Sequence, residues 1–94
     1  MGNVTEVKIS ANIDKLITAI DRAIAQHTRT SPMSLEDITG VLALMTGGCV
    51  GHVKTRHERR IFRQMVDANI DRGIERAIRE SGESTIIMPS VRVQ

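Results

Sequence analysis

The chain has 94 residues, a net charge of +2, an apolar content of 40% and one aromatic residue, Phe62. That length fits a single domain over residues 1–94, and a domain so small has little apolar surface to bury, so self-association is expected to support it. No apolar run approaches the ~20 residues that a membrane crossing needs, and the charge is too slight to indicate nucleic-acid binding by itself.

Asn3 to Ile9 reads as a short strand with Thr5, Val7 and Ile9 on one face. Ser10 or Asn12 is placed to cap a helix over Ala11 to His27, whose inner stripe is Ile13, Leu16, Ile17, Ile20, Ala23, Ile24 and His27. Thr28 to Met33 reads as a linker, because Pro32 disfavours helix at Ser31. Ser34 opens a second helix, with Asp37 in a capping-box-like position and Leu35, Ile38, Val41, Leu42 and Met45 as its buried stripe. Leu44 points away from that stripe, and Gly40 on the outer side would allow close approach. Gly47, Gly48 and Gly51 are expected to end the helix.

A third and longer helix is expected from about His52 to Glu80. Its apolar stripe drifts from Ile61, Phe62, Met65 and Val66 to Ile70, Ile74 and Ile78, so it either bends or packs its ends on different neighbours. Ser81-Gly82 would stop it, and Thr85 to Val93 reads as a second strand with Pro89 favouring an edge. The expected fold is therefore mainly α, at most α+β. It has three helices, the third long and either bent or straight, between short N- and C-terminal strands that pair within one chain or between copies. Ile17, Ile20, Ile24, Leu42 and Phe62 are the expected core, and Ile20→Ala should cost about 2–4 kcal/mol.

The segment with most chemical character is Gly47-Gly48-Cys49-Val50-Gly51-His52, followed by Arg56, Arg59, Arg60 and Arg63. A glycine-rich turn entering a helix turns backbone N–H groups toward a phosphate. The four arginines fall on one side of the helix and suit phosphate oxygens. Gly47, Gly48, Gly51, His52, Arg56, Arg59, Arg60 and Arg63 are thus the candidate ligand-binding residues. The spacing is not that of a Walker A loop, and no strand precedes it as a dinucleotide fingerprint requires. A solvated basic face partly paired by Glu58 is the simpler alternative. Cys49, His52 and His57 lack an evident fourth metal ligand, and no third residue completes a Cys–His nucleophile.

The opening TEVKIS and the amphipathic helix after it resemble the start of a ribbon-helix-helix repressor over residues 4–46. The chain departs from that pattern in placing Glu6 on the face that should read bases, in its long linker and in the half of the chain left over. Cys49 is the only cysteine and MGNVTE has no apolar signal region, so a cytoplasmic protein is expected. Glu6 also spoils the myristoylation pattern.

The functional expectation is a small, non-enzymatic homo-oligomeric binding protein without cofactor or metal. Its ligand would carry phosphate, as a nucleotide or nucleic acid. The alternative is a protein–protein inhibitor or adaptor of the kind that phages and mobile elements encode.

Overall fold

The computed structural model describes residues 3–79 and 85–90. In chain order these form β1 (Val4–Lys8), α1 (Ala11–Thr30), α2 (Leu35–Gly51), α3 (Arg56–Arg79) and β2 (Thr85–Pro89). The fold is mainly α with a small sheet. The expected helix stop at Ser81-Gly82 and the end of the second strand beyond Ser90 lie outside the described residues.

Local chemistry sets each boundary. Ser10 accepts a hydrogen bond from the Ile13 N–H, 3.2 Å away, and starts α1. The helix outruns its expected end at His27. The Thr28 hydroxyl donates to the Ile24 carbonyl at 2.9 Å and the Thr30 hydroxyl to that of His27 at 3.2 Å, so neither side chain competes for backbone N–H groups. Ser34 caps α2 by accepting from the Asp37 N–H at 3.1 Å. Thr55 does the same for α3 through the Glu58 N–H, at 3.1 Å, so α3 begins at Arg56 and not at His52. The sequence Thr55-Arg56-His57-Glu58 is a capping-box pattern that marks this start.

The glycines depart most from expectation. Gly47, Gly48 and Gly51 do not stop α2, and none of them has the left-handed backbone that a glycine stop uses. They form its last turns. The helix closes instead with short-range bonds from the His52 N–H to the Cys49 carbonyl and from the Val53 N–H to the Val50 carbonyl. A methyl group added at Gly48 would meet nothing within 4 Å. Gly48→Ala is therefore expected to raise stability by about 0.5–1 kcal/mol, through restriction of the unfolded chain and better helix propensity, read as a higher urea midpoint. No rise would mean that this turn is not helical in solution.

The chain groups into two compact units, one of Ser10–Gly48 and one of Met1–Ile9 with Cys49–Gln94. In the second, β1 and β2 pair antiparallel, with Val4 opposite Pro89, Glu6 opposite Ile87 and Lys8 opposite Thr85. The terminal strands thus find each other within one chain. α3 is one continuous helix that packs on this ribbon. The Asn69 side chain binds the Ile87 backbone twice, donating to its carbonyl and accepting from its N–H, both at 2.9 Å. Arg72, one turn further on, donates to the Glu6 carboxylate. Glu6 is therefore held by the helix, whereas Thr5 and Val7 of the expected inner face are exposed.

The core is slight. Among the described residues only Val53 and Ile61 are buried, at 9% and 4% exposure. Of the expected core, Ile17, Ile24 and Phe62 are half-buried, while Ile20 and Leu42 are exposed. No residue of α1 or α2 is buried.

Candidate functional site

The glycines do not form the turn into a helix that the sequence suggested. Gly47, Gly48 and Gly51 lie at the C-terminal end of α2, where carbonyls and the negative end of the helix dipole face outward and repel phosphate. The His52 N–H is engaged by the Cys49 carbonyl. Arg59 also leaves the stripe. Its guanidinium donates to the carbonyls of Val53 at 2.8 Å and Lys54 at 3.1 Å, tying down the α2–α3 connection.

Arg56, Arg60 and Arg63 remain together, exposed, on the first turns of α3, and have no carboxylate partner among the described residues. Glu58 does not neutralise them: its Oε2 is shielded from solvent without a hydrogen-bond partner there. At 100° per residue the three arginines line up with Ile70, Ile74 and Ile78, which are also exposed. The outer side of α3 thus changes from basic to apolar along its length, while its inner side holds Ile61, Asn69 and Arg72. This explains the drift of the apolar stripe without a break in the helix.

Cys49 is free and exposed. With His52 and His57 it belongs to no group of three or more side chains able to hold a metal among the described residues.

The larger feature is α2. From Ile38 to Gly51 it carries no charged residue. Its two hydroxyls are satisfied within the helix, that of Thr39 by the Leu35 carbonyl and that of Thr46 by the Leu42 carbonyl, each at 2.8 Å. The helix therefore offers water almost nothing on any side, the pattern of a helix meant to be enclosed. One side faces α1, where Ile38, Val41 and Leu42 line a cavity of about 320 Å³ with Ala23, Ile24 and His27. Thr28, also on its wall, has its hydroxyl bonded to the Ile24 carbonyl, so His27 is the one uncommitted polar side chain there. The opposite side consists of Gly40, Ala43 and Gly47 around Leu44, which is 77% exposed, and nothing stands within 4 Å of a Cβ built on either glycine.

No described helix is long and apolar enough to cross a membrane. Compared with models of known families, with characterised proteins and with solved structures, the chain matches none.

Proposed function

We propose that the protein is a non-enzymatic binding protein that acts through protein–protein contact in an oligomeric form, and that helix α2, without charge from Ile38 to Gly51, is the principal contact surface. The observation that carries this reading is α2 itself, with no buried residue and no charge over Ile38–Gly51. Exposed apolar patches of this size mark contact surfaces. The free thiol of Cys49 suits a reducing compartment, which favours a cytoplasmic protein. Hydrogen exchange tests the reading. Amides of Ile38–Gly51 are expected to gain protection as protein concentration rises or a partner is added, and to keep it in 1 M NaCl, where charge–charge contacts are screened to ~3 Å. Fast exchange under all conditions would overturn it.

A second reading rests on Arg56, Arg60 and Arg63 at the positive end of α3: a phosphate-bearing ligand, nucleotide or nucleic acid, held there. Arg56→Ala with Arg60→Ala is expected to weaken binding of short oligonucleotides by about 10-fold or more and to lower its salt dependence by about two phosphate contacts. If wild type and variant bind nucleotides and oligonucleotides equally weakly, this face is merely solvated.

A further inference from the structure

We infer that the outer edge of β1 pairs antiparallel with the same edge of a second copy of this chain, about a two-fold axis at Val7, so that two ribbons join into one four-stranded sheet. The inference rests on the oligomeric part of the reading above and not on α2 as the contact surface. Three observations support it.

The first is an open edge. Ile87 turns both its N–H and its carbonyl to Asn69, so neither reaches β1. Glu6, opposite Ile87, therefore turns its own backbone groups away from β2, and by alternation so do Val4 and Lys8. The bond from the Ser90 N–H to the Asn3 carbonyl, 2.8 Å long, fits the same alternation. Among the described residues nothing bonds to the backbone of Val4, Glu6 or Lys8 on that outer side. The outer edge of β2 is instead closed at Ile87 by Asn69 and has no donor at Pro89. An extended backbone is the partner that supplies donors and acceptors at the spacing of β1.

The second is charge, which fixes the partner and the register. The outward groups lie on even-numbered residues, so the two-fold axis of a self-paired edge passes through a residue. Centred on Glu6, it sets the two Glu6 carboxylates against each other. Centred on Thr5, it sets Glu6 against Val4 and carries Lys8 past the start of the strand. Centred on Val7, it sets Glu6 opposite Lys8 of the second copy, twice over by symmetry, with both backbone bonds made in each pair. Glu6 already meets Arg72 on that face, and Lys8 of the second copy adds another cation beside it.

The third is the face turned from the helix. Glu6 faces α3, so Thr5, Val7, Ile86 and Met88 lie on the other side of the ribbon. Val7 and Met88 are each 36% exposed. Val7 stands opposite Ile86 within the chain and, in the joined sheet, opposite Val7 of the second copy. One row of β-branched side chains then crosses all four strands, from Ile86 of one copy to Ile86 of the other. A two-stranded ribbon is marginal, whereas four strands packed on two copies of α3 are not.

The full-length chain tests this by sedimentation equilibrium, hydrogen exchange and cross-linking. Wild type is expected to dimerise at micromolar concentration. As concentration rises, the Glu6 and Lys8 amides are expected to gain protection and the Val4 amide is not, while those of Thr5 and Val7, bonded to β2, are protected throughout. Lys8→Pro removes an outward N–H that β2 does not use. It is expected to weaken the dimer on the order of 100-fold and to leave the Ile87 amide protected. Two cysteine variants in a Cys49→Ser background test the geometry without depending on that proline. Val7→Cys is expected to form an intermolecular disulfide on mild oxidation, because a non-hydrogen-bonded pair sets its Cα atoms about 4.5 Å apart. Thr5→Cys, on the same face, is not, because its two copies lie about 14 Å apart along the strands.

A dimer in which the Glu6 and Lys8 amides exchange alike at every concentration overturns this seat and leaves the α2 reading standing. So does a dimer in which Thr5→Cys links as readily as Val7→Cys, or a folded Lys8→Pro variant that pairs as tightly as wild type. A wild type that stays monomeric overturns the self-pairing and the oligomeric form together, whereas protection of α2 by an added partner then still decides the α2 reading.

Discussion

Asn69→Ala is expected to lower stability by about 2–3 kcal/mol, the sum of two lost hydrogen bonds and the exposure of a half-shielded backbone pair to imperfect solvation. The Asn69 amide presents one donor and one acceptor to Ile87, much as a third strand would. In an antiparallel ribbon with Glu6 opposite Ile87, it closes part of the outer edge of β2. No other residue type has an amide on so short a stem; Gln carries the same group one methylene further out. Urea denaturation at 25 °C measures the loss, and exchange of the Ile87 amide locates it. If the midpoint moves by less than ~0.5 kcal/mol and the Ile87 amide stays protected, Asn69 does not hold the strand.

Ile61→Ala is expected to cost still more, about 3–4 kcal/mol, within the usual range for emptying an enclosed aliphatic site. Ile61 is the most enclosed side chain among the described residues, and Val53 is the only other buried one. With so few enclosed groups, nothing nearby compensates for a cavity. Domains of this length have a total stability of roughly 5–14 kcal/mol, so the variant loses a large share of it. Ile61→Val, which removes one methyl, should cost about 1 kcal/mol and show whether the loss follows volume. Equal and small effects from both would mean that Ile61 is less enclosed than the structure places it. The cost expected from sequence at Ile20 belongs here instead, since Ile20 is exposed.

The contrast between Ile20 and Ile61 shows what was legible. Periodicity found both stripes, because a helix repeats whatever covers it. It could not say whether that cover lies in the same chain. Ser10 and Ser34 were readable as caps because a hydroxyl before an apolar run has few other uses.

Gly47, Gly48 and Gly51 misled for a physical reason. Glycine ends a helix only where the backbone turns left-handed, and the packing of the next segment decides that turn, not the glycine itself. With the end of α2 at Gly51, the expected cradle is lost and Arg59 has two carbonyls to bind. Asn69 carried no signal at all. An asparagine inside a helix is ordinary, and its worth depends on a strand met only after the helix has ended.

That last dependence has a consequence for synthesis. Val4 pairs with Pro89, so all the residues between them must leave the ribosome before the ribbon can close. α1 and α2 lie entirely within that closed loop and rest on hydrogen bonds local in sequence, whereas the ribbon bears the entropy of joining distant ends. Through most of translation β1 is an unpaired strand, and Asn69 and Arg72 emerge before the strand that Asn69 binds. The nascent protein therefore exposes both a bare strand edge and a largely apolar helix, two surfaces on which incomplete chains aggregate. Strand β2 acts as the latch, and ribosomes that stall before Thr85 would leave every earlier element made and none of the ribbon shut.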